Sequence, residues 1–150
     1  MTLTTYINFK GTCAEAFEFY ARHLGGTVSM MMRHGQVPVP GGVGPDWADK
    51  VLNASLQIGG TTLMGADVPT AEPMRSAYLT ITFDTVAEAQ TAYDALSEGG
   101  EIFMPLHAEF FAEAFAMLRD RFGVNWMILG HARQDRMSSG LDRTLRDRRA

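Results

Sequence analysis

TYINFKGTCAEAFEFY, residues 5–20, and YLTITFDTVAEAQTAY, residues 78–93, are two copies of one strand–helix pattern. In each copy, apolar residues first alternate with polar ones, which is typical of a strand with one buried face. A Thr then precedes a Glu by three residues, at Thr12 in the first copy and 73 positions later at Thr85 in the second. This spacing predicts a capping box, in which the two side chains bond reciprocally to backbone N–H groups where a helix begins. We therefore predict an internal duplication.

The pattern continues after each helix. The helices are predicted to end at Gly25-Gly26 and at Gly99-Gly100, because Gly adopts the left-handed conformation found just past a helix. Three more strands are predicted in each half: Thr27–Arg33, Val51–Ile58 and Thr61–Ala66 in the first, and Glu101–Met104, Ala112–Leu118 and Asn125–Leu129 in the second. The Pro105 region and the other Gly- or Pro-containing stretches between these strands are predicted turns. The fold class is thus α+β, with two tandem βαβββ modules.

Length and composition fit one globular domain. The chain has 150 residues, of which 46% are hydrophobic, which is enough to form a core without disulfides or a structural metal. We predict one domain over residues 1–130, with module 1 at about 4–66 and module 2 at about 78–130. Residues 131–150 hold six Arg and three Asp, and they are predicted to be an Arg-rich C-terminal tail.

The net charge and the Cys content of the chain limit the binding partners and the cellular compartment that the sequence predicts. The net charge of −4 argues against nucleic acid as the main partner. Cys13 is the only cysteine, so an intrachain disulfide and a Cys-rich zinc site are both excluded. No signal-like segment follows Met1, and no apolar stretch approaches the roughly 18–20 residues that span a bilayer. The sequence predicts a cytoplasmic protein that does not bind membranes.

Four segments, in this order, carry a family resemblance: YINFKGTCAEAFEFY at 6–20, LQIGGTTLM at 56–64, MPL at 104–106 and DRFGVNWMI at 120–128. Together they closely resemble the PhnB-like branch of the vicinal-oxygen-chelate (glyoxalase/bleomycin resistance/dioxygenase) superfamily. Members of this branch are often labelled 3-demethylubiquinone-9 3-methyltransferase-like. Nothing in the sequence supports methyl transfer, since no Gly-rich loop follows a strand in a doubly wound α/β pattern. The resemblance implies that each module curls its sheet around a cavity, with the helices outside.

The resemblance also implies where metal ligands would lie. Metal-dependent members of the superfamily place His or Glu on the opening and closing strands of each module. Thr4 and Tyr78 hold the opening positions here, Met64 lies near one closing position and Met127 occupies the other. None of these side chains is a competent ligand for a hard or borderline divalent ion, which needs imidazole or carboxylate. We therefore predict no metal and no cofactor.

Strand alternation selects the candidate ligand-binding residues. Side chains that alternate with the apolar core positions should face away from the helices. The set combines hydroxyls, amides, thioethers and aromatic rings, which suits a small neutral or aromatic molecule. The predicted ligand-binding residues are Tyr6, Asn8, Asn53, Ser55, Met64, Tyr78, Thr80, Phe110, Phe111, Asn125 and Met127.

Two other functions remain open. One is a metal-dependent lyase or dioxygenase that uses His107 with Glu109, two residues that share one face of a strand. The other is a non-catalytic interaction module with a filled cavity. For the preferred hypothesis, a metal-free binding protein whose catalysis is not established, we expect a homodimer, as the resemblance implies.

Overall fold

The computed structural model describes residues 1–37 and 42–133 of the chain. The chain divides after Pro73 into two compact units, here called unit 1 and unit 2. Residues 134–150, most of the predicted Arg-rich tail, lie outside the described residues. Neither of the two α-helices in the described part, each 12 residues long, is long and apolar enough to cross a membrane.

Unit 1 is one four-stranded sheet with a helix packed on it. Its elements are β1 (Thr5–Phe9), α1 (Cys13–Leu24), β2 (Thr27–Arg33), β3 (Val51–Ile58) and β4 (Thr61–Asp67). The strand order is β1-β4-β3-β2, with β1 parallel to β4 and the other neighbours antiparallel. The long β2–β3 connection is tied at its ends, because His34 N donates to Lys50 O and Gly35 N to Ala48 O, both at 2.9 Å.

Unit 2 repeats the same order of elements. They are β5 (Leu79–Phe83), α2 (Val86–Ser97), β6 (Glu101–Glu109), β7 (Ala112–Arg119) and β8 (Asn125–Ala132). The strand order is β5-β8-β7-β6, with β5 parallel to β8. The predicted α+β class with two βαβββ modules is confirmed.

Each helix buries one stripe of side chains against its sheet. On α1 the stripe is Cys13, Ala16, Phe17 and Tyr20, spaced three or four residues apart as an amphipathic helix requires. The Phe17 ring meets Phe9 of β1 edge to face, with 5.8 Å between centroids. On α2 the stripe is Ala89, Ala92 and Leu96.

The two helices begin differently. At α2 the predicted capping box is confirmed: Glu88 N donates to Thr85 Oγ1 at 3.2 Å, and Thr85 N donates to Glu88 Oε2 at 3.1 Å. At α1 the prediction is wrong, because the Thr12 side chain makes no capping hydrogen bond. The buried Asp67 carboxylate accepts from Cys13 N instead, at 3.0 Å. A carboxylate is the stronger acceptor for backbone N–H groups at a helix start.

The predicted end of β6 at Met104 is also wrong. The strand continues through Pro105 to Glu109, with irregular register between Met104 and His107 and again after His107. Since β6 is an edge strand, the missing N–H of Pro105 need not break the ladder. The bulged strand thus carries His107 and Glu109 into the sheet.

Candidate functional site

Gly65 shows which face of the unit 1 sheet packs against α1. A Cβ built on Gly65 would lie 2.8 Å from the ring of Phe17, so this row of the sheet faces α1. Ile7 and Ala54, the cross-strand partners of Gly65, belong to the same row and are buried. The alternate residues therefore point away from α1. We call this surface the far face of unit 1; it carries Tyr6, Asn8, Met30, Met32, Asn53, Ser55 and Met64.

Tyr6 and Asn53 form a polar pair on the far face of unit 1. The Tyr6 hydroxyl donates to Asn53 Oδ1 at 3.2 Å. Burial raises the pKa of Tyr6, so the hydroxyl stays protonated at neutral pH. With its oxygen bonded to Tyr6, Asn53 can offer its amide hydrogens to an acceptor on a ligand.

The other predicted residues of unit 1 surround this pair. Met64 pairs across the sheet with Tyr6 on one side and with Ser55 on the other. Asn8 is exposed on the same face. The structure thus brings Tyr6, Asn8, Asn53, Ser55 and Met64 onto one face of one sheet.

In unit 2, Gly130 marks the helix side of the sheet. A Cβ on Gly130 would lie 2.8 Å from the Cβ of Ala89 on α2. The alternate residues form the far face of unit 2. Thr80 pairs there with Met127, and Thr82 with Leu129.

Asn125 differs from the other predicted residues because it is fully buried. Its Nδ2 donates to Ala77 O at 2.9 Å and to Arg75 O at 3.4 Å. Its Oδ1 accepts from Arg119 Nε at 3.0 Å. These bonds hold the segment that leads into β5. They place Tyr78, the next predicted residue, with its ring centroid 6.4 Å from that of Phe103.

Three Phe rings contact one another in series at the β6–β7 turn. Phe110 is 64% exposed, and its ring centroid is 5.1 Å from that of Phe111. The Phe111 ring in turn meets Phe115 edge to face at 5.0 Å. Phe115 pairs with both His107 and Leu129, so the predicted aromatic pair is continuous with the far face of unit 2.

The predicted His107–Glu109 pair is formed. His107 Nε2 lies 2.8 Å from Glu109 Oε1, and His107 Nδ1 lies 2.7 Å from Pro105 O. A carbonyl and a carboxylate only accept hydrogen bonds, so both ring nitrogens must donate, as they do in the imidazolium form. The bonds to Pro105 and Glu109 accordingly raise the pKa of His107. An imidazolium has no lone pair for a metal ion, so this arrangement disfavours His107 as a ligand.

The side chains at the four positions named above do not fit a hard or borderline divalent metal ion. The four positions hold a hydroxyl, a phenol and two thioethers, at Thr4, Tyr78, Met64 and Met127. Within residues 1–37 and 42–133, no three His, Cys, Asp or Glu side chains are placed to hold an ion together. No step of a reaction is therefore assigned to a divalent metal.

Cys13 lies behind the sheet rather than on a far face. Its side chain is fully buried, and burial, reinforced by the charge of Asp67, raises its thiol pKa to about 12. A thiol with that pKa is protonated and unreactive at neutral pH. Asp67 itself accepts from Gly11 N and Cys13 N at 3.0 Å and from Val51 N at 2.8 Å, which locks three segments of unit 1 together.

Sequence reasoning missed several far-face residues. Met30 and Met32 were not among the predicted ligand-binding residues, yet Met30 pairs with Ser55, and Met32 is 38% exposed opposite Asn53. Their side follows from a register shift between Val28 and Met30, which alternation cannot reveal. Met104 and Met117 lie within predicted strands, but their pairing follows a register shift between Ile102 and Met104, which alternation cannot reveal.

Comparisons with known proteins agree with this architecture. The family model described as "Glyoxalase/Bleomycin resistance protein/Dioxygenase superfamily" matches residues 6–128. Protein YjdN of Escherichia coli (strain K12) is 31% identical over 140 residues, which cover 85% of this chain and 94% of YjdN.

Two solved structures are similar over most of their length. Protein PA1353 of Pseudomonas aeruginosa is 39% identical, with a TM-score of 0.76, over 86% of this chain and 96% of PA1353. The PhnB protein of Bacillus cereus is 26% identical, with a TM-score of 0.73, over 86% of this chain and 98% of PhnB.

Proposed function

The chain belongs to the glyoxalase/bleomycin resistance protein/dioxygenase superfamily, and from this membership we propose that it binds a small neutral or aromatic molecule without a divalent metal ion. The resemblance inferred from the four sequence segments, including its PhnB-like character, is confirmed by these matches. One observation carries the proposal. At the four positions where metal-dependent members of the superfamily place His or Glu, this chain has a hydroxyl, a phenol and two thioethers, which are groups that recognise uncharged ligands.

We propose a binding surface on the far face of each unit. The hydrogen-bonded pair of Tyr6 and Asn53 supplies directional polar groups, and Met64 beside it supplies an adaptable apolar surface. On unit 2 we assign Thr80 and Met127 to the same role. The predicted contributions of Asn8, Ser55, Tyr78, Phe110 and Phe111 belong to this proposal, as does that of Asn125 through the segment it holds.

We propose binding rather than catalysis. His107 is the imidazole on the far face of unit 2, and both of its ring nitrogens are engaged by Pro105 and Glu109. General acid–base work requires a ring nitrogen within reach of a substrate proton. The alternative of a metal-dependent lyase or dioxygenase built on His107 and Glu109 is disfavoured by the same bonds.

We also propose a cytoplasmic homodimer built on one glyoxalase-like domain that runs to the end of β8 at Ala132, two residues beyond the predicted boundary at residue 130. The dimer is supported by exposed apolar side chains on the edge strand β6, where Ile102 is 46% and Phe103 41% exposed. Exposed apolar patches of this kind mark interaction surfaces. Sedimentation equilibrium of the full chain tests this, and a single monomeric species at micromolar concentration would refute it.

A thermal-shift titration tests the binding proposal. Indole and 1-naphthol serve as neutral probes, 1-naphthoate serves as the charged one, and EDTA is present throughout. At a ligand concentration a hundred times Kd, binding stabilises the folded state by about 2.7 kcal/mol. For a chain of this size that raises Tm by about 5–10 °C. We expect the neutral probes to be preferred over the charged one.

Two matched variants test where on the protein the probe binds. Tyr6→Phe removes the hydroxyl that contacts Asn53 and should weaken binding of a probe with a polar group. Tyr93→Phe makes the same change on α2, away from the far face, and should leave binding unchanged. A probe response that appears only after Mn(II), Ni(II) or Zn(II) is added would refute the metal-independent proposal.

A further inference from the structure

Three methionines lie in one row on the far face of unit 2. Met104 of β6 pairs directly with Met117 of β7, and Met117 pairs directly with Met127 of β8. Directly paired residues on neighbouring strands point to the same side of the sheet. Met104 is 36% exposed, and the other two side chains are half-buried. The thioethers are therefore accessible and are not wholly used as core packing.

The row has the dimensions of a single ion site. Neighbouring strands lie about 4.8 Å apart, so the outer two Cα atoms are separated by about 10 Å. A Met side chain has three rotatable bonds, which lets Met104 and Met127 lean towards the central Met117. The three sulfur atoms can thus converge on one point above the middle strand.

The chemistry of the row selects a soft monovalent ion. Thioethers are neutral, polarisable donors that select Cu(I) over hard divalent ions. Thr80, which ends the row beside Met127, adds a hydroxyl and no charge. The feature that makes Met127 unsuitable for a hard divalent metal makes it suitable for Cu(I).

The far face of unit 1 has a corresponding row of three paired side chains. Met30 of β2 pairs with Ser55 of β3, and Ser55 pairs with Met64 of β4. The two outer thioethers are kept, but the central donor is a hydroxyl. The duplication thus provides an internal comparison in which one residue, Ser55 in place of Met117, separates a three-thioether row from a two-thioether row.

We propose that Met104, Met117 and Met127 form a binding site for Cu(I) on the far face of unit 2. The site lies on a different unit from the Tyr6–Asn53 pair, and it shares only Met127 with the ligand-binding residues proposed above. Binding involves no redox change, because the ion enters and leaves as Cu(I).

The test uses the full chain, labelled with ¹³C at the methionine methyl groups and carrying Cys13→Ala so that the thiol cannot compete. Unlabelled protein with Cys13 intact is titrated in parallel to verify that the substitution has no effect of its own. Ag(I) nitrate in chloride-free buffer is the redox-stable probe, and Cu(I) is added under nitrogen against a chromogenic Cu(I) chelator. We expect one ion per chain and joint shifts of the methyl resonances of Met104, Met117 and Met127.

Substitutions at the central position decide the outcome. Met117→Leu keeps the apolar volume and removes the sulfur, so it should weaken binding by about tenfold or more, since even groups behind the ligands of metal sites cost that much. Ser55→Met gives unit 1 the same row and should raise the stoichiometry to two ions. Unfolding curves verify that both variants fold. Absent methyl shifts, or unchanged affinity in folded Met117→Leu, would overturn the proposal.

Discussion

Replacing Asp67 by Asn should destabilise the protein by about 3 kcal/mol, because one carboxylate bonds to three backbone N–H groups in two separate segments. Its Oδ1 accepts from Gly11 N and Cys13 N, and its Oδ2 accepts from Val51 N. The side chain is only 2% exposed, so water cannot replace a lost partner. In Asp67→Asn, one oxygen remains for Gly11 and Cys13, but an NH₂ group then faces the Val51 N–H.

The magnitude follows from these three bonds. A hydrogen bond to a charged group contributes about 1.5–3 kcal/mol, and a buried donor left unsatisfied costs about 1–3 kcal/mol. Losing the Val51 bond and weakening the other two therefore costs about 3 kcal/mol. For a chain of this length, Tm should fall by about 6–12 °C. Asp67→Ala, which leaves all three donors without a partner, should cost more.

Urea unfolding and amide hydrogen exchange together test this prediction. Asp49→Asn is the matched control, because Asp49 is exposed and such a change is usually within about 0.5 kcal/mol of neutral. In Asp67→Asn we expect faster exchange at the amides of Gly11, Cys13 and Val51. A loss of stability no larger than that of Asp49→Asn, with these amides still protected, would refute the locking role of Asp67.

Three further predictions concern the helix starts, the thiol and the imidazole. Thr85→Ala should cost about 1 kcal/mol in denaturant unfolding, as loss of a formed cap does, whereas Thr12→Ala should cost clearly less because its side chain makes no capping bond; equal losses would contradict this. The Cys13 thiol, whose pKa is about 12, should react with Ellman's reagent at pH 8 only at the rate of unfolding, and rapid labelling of folded protein would contradict its burial. The hydrogen bonds to Pro105 and Glu109 raise the pKa of His107 in the folded state. The stabilisation that these bonds give the folded state is therefore fully present below the unfolded pKa of about 6.5. It is lost as pH rises through the higher folded pKa. His107→Gln should flatten the dependence of the unfolding free energy on pH above about 6.5, and an unchanged pH dependence would contradict the role of the His107–Glu109 pair.

Most of the fold could be predicted from the sequence because the patterns that indicate strands, turns and helix starts are local. Alternation and glycine positions predicted β2 and β3 with the ends that the structure has, and the Thr85 capping box needed only residues three apart. The α1 cap could not be predicted in this way, because Asp67 lies 54 residues from Cys13. An acceptor from a distant strand can replace a local cap without any change near the helix start.

The candidate site was less predictable because it depends on contacts between residues that are distant in the sequence. Alternation placed Tyr6 and Asn53 on one side of their strands, but their hydrogen bond depends on the pairing of β1, β4 and β3. The bulges in β2 and β6 shift the register by one residue, which moves a side chain to the other face. The methionine rows therefore emerged only from the observed register.

The parallel pairing of β1 with β4 has a consequence for how the chain is made. β1 is at the edge of its sheet, and its one neighbour there is β4, the last strand of unit 1. Asp67, which ends β4, also reaches back to the start of α1. During synthesis β1 therefore emerges before β4, the strand with which it pairs, and its backbone hydrogen bonds can form only after β4 has emerged. We expect unit 1 to close in one late step during synthesis, once the chain beyond residue 67 has emerged, rather than strand by strand.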